Sequence, residues 1–379
     1  LENAQTPEAG RTELPDGVFV CGRQHSGNTM LTALLGRMSN FVVTLDEDYF
    51  LEARPALDKL PDAIHRARWF GSHLQLRHPQ LEAAITKDLL AWAQQHPAAD
   101  AVSVFRKACA LTASTLGKRS WARKATSYIF HADTILNQMP GVRLIYLVRN
   151  PFDIIASMKL RQPKREYIVG AALSWTSGID QALRYEKRFP DRVHVMRYEK
   201  LVTDPEAKAK RLCAFLGEIY DPSLLDVPRI NTSDQPHAEH ASEQGMSASH
   251  INYYMTTLSD AEIVATEMLC QRRHLRQLYP SLPHYSRRYP AMVRLKAMWL
   301  IASGFIRYPL SVVKRVRRSA FPLRVYLLRR ATALWKVPWG SRRGLFGAGL
   351  RPALAGLIAV LLGLIAALTR SCFFELATE

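Results

Sequence analysis

No cysteine framework holds this sequence together. Its five cysteines, Cys21, Cys109, Cys213, Cys270 and Cys372, are odd in number, far apart and free of CxxC spacing. That argues against a disulfide scaffold or a zinc site and for buried free thiols in a reducing compartment. Acidic residues are missing from 287 to 351, a stretch that carries sixteen Lys and Arg. No signal peptide opens the sequence and no internal repeat runs through it. It begins at Leu1 without a Met, so the natural N-terminus is expected further upstream.

What is present is 379 residues, 48% of them hydrophobic, enough for one large domain or two modest ones. The first 286 residues hold 34 basic and 31 acidic side chains, so nearly all of the net charge of +18 sits in the C-terminal quarter. An evenly basic surface would point to nucleic acid. A near-neutral body with a cationic tail does not, and it needs a local explanation.

Residues 1–16 are polar and read as a flexible N-terminus. Gly17 to Cys21 (GVFVC) reads as a short buried strand, followed by a polar glycine-bearing turn and a helical run from Thr29 to Met38. A second strand, Phe41 to Leu45, leads into Asp46-Glu47-Asp48. Residues 57–117 read as mostly helical, with breaks near Gly71 and Pro97. Strands return at Arg119 to Arg123, Val142 to Val148 and Val193 to Met196, each followed by a helical pattern. Apolar strands without alternation, interleaved with helices, predict an α/β fold with a central parallel sheet covered on both faces. This domain is expected over 17–285, followed by a basic amphipathic region at 286–351 and an uncharged apolar segment at 352–369.

Gly22-Arg23-Gln24-His25-Ser26-Gly27-Asn28-Thr29 joins the first strand to the first helix with the spacing of GxxxxGK[ST], Asn28 standing where the Lys belongs. Glycines let the backbone turn tightly, so that successive amides and a helix N-terminus face one anion. Arg23 and His25 add charge, and Ser26 and Thr29 add hydroxyl donors. Without the Lys, whose ammonium group neutralises β- and γ-phosphates, an ATP-using phosphotransferase is the weaker reading. An ordinary strand-to-helix turn has the same spacing. A second candidate, Arg149-Asn150-Pro151-Phe152-Asp153, ends the run GVRLIYLV. Asn150 suits an N-cap, Pro151 the first helical position and Asp153 the first turn. Arg149 then falls at the carboxyl end of a strand, where open α/β sheets bind ligands, with Ser157 two turns into the next helix. The plain alternative pairs Arg149 with a carboxylate and leaves Ser157 to packing.

HSGNT after one strand, RNPFDIIAS after another and RYEKLVTDPEAKAKRLCAFLGE further on resemble the sulfotransferase family, over roughly residues 17–280. That resemblance implies a P-loop-like three-layer fold, the sulfuryl donor 3′-phosphoadenosine 5′-phosphosulfate and an acceptor hydroxyl. It implies that the loop from Arg23 to Thr29 holds the 5′-phosphosulfate, that Arg149 and Ser157 hold the 3′-phosphate, and that Tyr198 of the pair Tyr198-Glu199 lies near the adenine. Arg123-Lys124-Ala125-Thr126 is similar to the family's Lys-Thr-Pro segment without the Pro. Gly245 to Tyr254, with His250, is similar to a late loop that touches the 3′-phosphate. The sequence departs from the family at His25, where Lys or Arg is usual, and at Asn28, where Thr is. A protonated His25 can meet the leaving phosphate oxygen. Its ordinary pKa is about 6.5, and a phosphosulfate nearby would favour the imidazolium. Arg23 or Lys124 would help; the opposing reading is a degenerate, inactive domain.

In-line displacement at sulfur requires aligned partners, removal of one proton and stabilised charge on the departing phosphate, and this scheme requires no metal. The base is expected in the acidic cluster past the second strand, Glu47 first and Asp46 second. Sulfotransferases of the Golgi type often place a Glu about there. A solvated acidic turn is the plain alternative, His73, His78 and His131 are other candidate bases, and Trp175 and Tyr167 read as core.

The cations of 287–351 are interleaved with Trp299, Phe305, Tyr308, Phe321, Tyr326, Trp335 and Trp339, a pattern that suits an anionic lipid surface. Pro352 to Thr369 is at the lower edge of the length needed to cross a hydrocarbon core of about 30 Å. Arg342, Arg343 and Arg351 before it, against Arg370 alone after it, would keep the body on the cytoplasmic side. A carbohydrate or glycolipid near a membrane is therefore the expected acceptor, with a soluble glycan or a peptide tyrosine as alternatives. Competing readings are a tail that packs on protein, a phosphotransferase using Mg-ATP, and a non-catalytic membrane-associated scaffold that keeps a nucleotide-binding fold. The tail's apolar residues are too dense for nucleic acid.

Overall fold

Five strands, β1 (Gly17–Cys21), β2 (Phe41–Thr44), β3 (Ser120–Lys124), β4 (Val142–Val148) and β5 (Val193–Arg197), form one parallel sheet in the order β2-β3-β1-β4-β5. The computed structural model describes residues 14–44, 50–73, 79–161, 167–228 and 245–318. β1 is buried along its whole length, which is why its sequence is apolar throughout instead of alternating. The α/β fold with a central parallel sheet is present as the sequence predicts. The ends of β2, β3 and β5 differ from expectation by a single residue, which is ordinary fraying.

The helices are α1 (Asn28–Leu35), α2 (Phe50–Leu57), α3 (Ala63–His73), α4 (Pro79–Gln95), α5 (Ala101–Thr115), α6 (Ala132–Gln138) and α7 (Pro151–Arg161). They continue with α8 (Ile168–Arg188), α9 (Tyr198–Thr203), α10 (Pro205–Leu216), α11 (Tyr254–Thr257), α12 (Asp260–Leu269), α13 (Arg272–Leu278) and α14 (Ala291–Arg318). The chain divides into two compact units, Leu1–Asn150 with Gln181–Ile251 and Pro151–Asp180 with Asn252–Glu379.

The first unit contains the sheet. Val18, Val20, Ala122, Ile145, Leu147 and Met196 face a layer built from Leu31, Leu34 and Leu35 of α1, Leu201 of α9 and Leu212 and Leu216 of α10. The opposite face is aromatic. Phe19 lies edge-on to Trp121 at 5.0 Å and against Phe105 of α5 at 6.1 Å, and Phe50 stacks on Phe105 at 4.2 Å. Losing one such buried ring costs about 3–5 kcal/mol. Gly71, expected to break a helix, lies inside α3 and abuts Thr86 of α4, so close packing and not a turn explains the glycine there. Near the start of the described chain, Asp16 donates its N–H to the Gly141 carbonyl at 2.8 Å and pairs with Arg106 at 3.1 Å.

In the second unit, Asp153 of α7 is wholly buried. Its carboxylate accepts the N–H groups of Asn252 at 3.0 Å and Tyr254 at 3.1 Å, and its carbonyl accepts the Tyr253 hydroxyl at 2.7 Å. Its role is thus to pin the entry to α11, beyond the helix-start preference read from sequence. Ser259 and Glu262 cap α12 reciprocally, and Glu262 also takes Lys159 at 2.7 Å and the Tyr167 hydroxyl at 2.6 Å. Burial alone would raise the Glu262 carboxyl, but these donors outweigh it and hold it below the usual range. Trp175 is buried, as the sequence suggests.

His284 is 1% exposed and its Nδ1 lies 2.7 Å from the Tyr254 hydroxyl. Burial first, then the charges of Arg276 and Arg287, push the imidazole down to about 4. Below about pH 6.5 the unfolded chain binds a proton that the folded one refuses, so stability is expected to fall as pH drops from 6.5 towards 4. Thermal unfolding between pH 7.5 and 5 should show a midpoint that falls less in His284→Asn than in the parent. Equal slopes would remove His284 as the titrating group.

Cys21, Cys109, Cys213 and Cys270 are buried free thiols, with Cys213 pushed up to about 11 and Cys270 higher, both by burial. Among the described residues no helix is long and apolar enough to cross a membrane. The segment 352–369 and Cys372 lie outside the described residues.

Candidate active site

β1 and β4 are neighbours, and the chain leaves them toward opposite sides of the sheet, β1 toward β2 and β4 toward β5. Ligands of open α/β sheets bind at the carboxyl ends of such a strand pair. Both sequence motifs start there.

The loop after β1 has φ of 147° at Gly22, 70° at His25 and 92° at Gly27. Left-handed residues among right-handed ones curl a loop and turn its amides inward. Glycine allows this at little cost, whereas at His25 it costs about 1–2 kcal/mol. Arg149 supplies the restraint. One of its terminal nitrogens donates to the His25 carbonyl at 2.9 Å and the other to the His250 carbonyl at 2.9 Å. The guanidinium lies 4.4 Å from the centre of the Tyr198 ring, and Arg149 is 5% exposed. Gly27 in turn packs on Tyr198: a β-carbon there would meet ring carbons at 2.7 and 2.9 Å. The structure therefore brings His25, Gly27, Arg149, Tyr198 and His250 into one cluster.

Asn28 opens α1 and is buried. Its Nδ2 donates to the carbonyls of Gly22 at 3.1 Å and Arg23 at 3.3 Å. Two hydrogens on one nitrogen let a single side chain tie both carbonyls, which accounts for an amide at this position. Ser26 is 1% exposed and its Oγ is buried with no hydrogen-bond partner, a donor available to an anion held in the loop. Gln24 is exposed, and Arg23, His25 and Thr29 are half-buried.

Lys124 stands in register with Val20 of β1, and the segment after it borders the loop. Ala125 donates to the Val20 carbonyl at 2.9 Å and Gly22 to that of Thr126 at 3.4 Å. Arg123 belongs to the aromatic layer instead, its guanidinium 5.4 Å from the Phe105 ring centre. Glu199 is 9% exposed and accepts the Asn150 N–H at 2.7 Å, fixing the backbone beside Arg149. Burial raises its carboxyl, opposed by that N–H.

Ser157 is buried in α7 of the second unit. His131 precedes α6 without a side-chain cap and packs edge-on to Tyr128 at 5.9 Å. Glu47, Asp46, Asp48 and His78 lie outside the described residues, as does the side chain of His73. Among the described residues no group of three or more His, Cys, Asp or Glu could hold a metal. Sequence reasoning did not anticipate the left-handed His25 or the bracing by Asn28 and Glu199. For Asn28 the signal was a polar residue just after Gly27, and for Glu199 the acid in Tyr198-Glu199.

A five-stranded parallel sheet with a left-handed loop and a clamped arginine at adjacent strand ends defines an α/β protein with its candidate site at the carboxyl edge of the sheet. A family model described as the sulfotransferase family matches residues 15–222, more than half of the sequence. The chain belongs to that family, whose enzymes transfer sulfuryl groups. No curated protein matches the sequence. Among solved structures, it is similar to the sulfotransferase domain of the Synechococcus PCC 7002 olefin synthase, with 17% identity over 80% of this chain and 98% of that one and a TM-score of 0.46. The sulfotransferase domain of the curacin biosynthetic pathway gives 19% identity over 77% and 98%, with a TM-score of 0.41. Retinol dehydratase, determined with retinol and PAP, gives 14% over 74% and 85%, with a TM-score of 0.37.

Proposed function

We propose that this enzyme moves a sulfuryl group from 3′-phosphoadenosine 5′-phosphosulfate to an acceptor hydroxyl, a carbohydrate or glycolipid near a membrane. The observation that supports this reading is the Arg149 fork, which donates to the His25 and His250 carbonyls at 2.9 Å each and so ties the loop after β1 to the segment around His250. The Ser26 hydroxyl, buried without a partner, suits a phosphate-bearing donor, and the absence of a Lys at Asn28 disfavours a nucleoside triphosphate.

In this reading the amides from Arg23 to Thr29 and the Ser26 hydroxyl grip the phosphosulfate, and Arg149 grips the 3′-phosphate. The acceptor oxygen forms its bond to sulfur as the bond from sulfur to the phosphate oxygen breaks. Glu47, or Asp46 beside it, takes the acceptor proton; protonated His25, aided by Lys124 and Arg23, neutralises charge on the departing phosphate. Tyr198 supports the adenine end. The cationic C-terminal region would hold the catalytic body on the cytoplasmic side of a membrane, close to a lipid-linked acceptor.

Thermal shift tests the donor class. Adenosine 3′,5′-bisphosphate without magnesium, at about 100 times its Kd, should stabilise the protein by about 2.7 kcal/mol, and Mg-ATP should do far less. Stabilisation by Mg-ATP alone would sink the proposal in favour of phosphoryl transfer. Labelled donor incubated with membrane lipid extract then identifies the acceptor, and label confined to protein tyrosine would rule out the glycan.

A further inference from the structure

α14 carries apolar residues on two opposite faces. Ala297, Ile301 and Phe305 form the buried one. On the other side Met292, Leu295, Trp299 and Ile306 are 62%, 54%, 64% and 60% exposed. Their spacings of three, four and seven residues place them along a single stripe, widened by Met298. Lys296 and Arg307 are exposed along one margin, in a region without an acidic residue from 287 to 351. Single exposed apolar side chains need no explanation, but a contiguous row that includes tryptophan marks a contact surface.

We infer that α14 lies flat on an anionic lipid surface, its stripe in the headgroup–acyl boundary and its flanking cations on lipid phosphates. Three arguments select this occupant. A second copy of the chain would set the cations of one α14 against those of the other, with no carboxylate in 287–351 to pair them. Residues 319–351 are cationic too, which opposes their folding back over the stripe. Tryptophan beside cations on one amphipathic helix is the composition that settles at a bilayer interface. The helix runs for about 40 Å, and the cations along it keep it in the interface plane and out of the hydrocarbon core. The inference does not depend on sulfuryl transfer.

The test places an environment-sensitive fluorophore on the full chain at Trp299→Cys in a Cys372→Ser background, with a control label at Ser114→Cys, an exposed position on α5. Vesicles of phosphatidylcholine with 30% phosphatidylserine should shift the label at 299 to the blue and leave the control unchanged, while pure phosphatidylcholine should act weakly. The double variant Lys296→Glu/Arg307→Glu should weaken the response about tenfold or more. A label at 299 already blue-shifted without lipid would overturn the inference. In that event, dependence of the shift on protein concentration would assign the stripe to a second copy, and independence to residues 319–379. A label that stays in water with either vesicle would overturn it as well.

Discussion

Replacing Arg149 by alanine should raise the Kd for adenosine 3′,5′-bisphosphate at least about 100-fold, a loss of about 2.8 kcal/mol. The argument is local. Arg149 is nearly inaccessible and donates to two carbonyls, at His25 and at His250. Hydrogen bonds from a charged group contribute about 1.5–3 kcal/mol each, and the substitution removes both at once. The left-handed backbone at His25, restrained by one of those bonds, would then relax and open the curl of the loop. Lysine should restore little, because an ammonium group cannot span both carbonyls while sitting over Tyr198 as the guanidinium fork does. Calorimetric titration of the parent, Arg149→Ala and Arg149→Lys checks this. Binding within threefold of the parent in the alanine variant would show that the clamp is dispensable.

Gly27→Ala should be nearly as damaging, through a different term. The residue has φ of 92°, where an L side chain is strained by about 1–2 kcal/mol, and the new methyl would meet the Tyr198 ring. Overpacking of this kind costs about 1–3 kcal/mol more, and Tyr198 cannot withdraw easily with Arg149 lying over its ring. The sum of about 2–5 kcal/mol should lower the unfolding midpoint by about 3–6 °C, with loss of donor binding. Adding Tyr198→Leu should recover part of the midpoint by removing the clash while leaving the backbone strain. If the double variant melts no higher than Gly27→Ala alone, the ring contact is not the cause.

The two motifs that compose the site were visible in the sequence for chemical reasons. Glycines between a buried strand and an apolar-faced helix permit a tight turn whose amides can face an anion, and an Arg-Asn-Pro step after the strand-like run VRLIYLV marks the end of a strand. What those residues touch was less legible. Arg149 was expected at a strand end, and its two bonds to the backbone carbonyls of His25 and His250 are contacts that no motif indicated. Asn28 stood as a departure from two known patterns; its side chain turns out to tie Gly22 and Arg23. Asp153 read as a helix-start acid and proves to anchor residues 252–254.

By itself the sequence determined the strands, most of the helices and the parallel sheet, because dihedral preference, turn residues and apolar periodicity all act within a few residues of one another. The tertiary structure decided that His25 is held left-handed by a partner 124 residues away, and that the other hand of the same arginine grips a loop 101 residues distant. It also decided which apolar face of α14 is covered and which is left outside. Such choices depend on what long-range folding brings alongside a residue, and no local pattern encodes them.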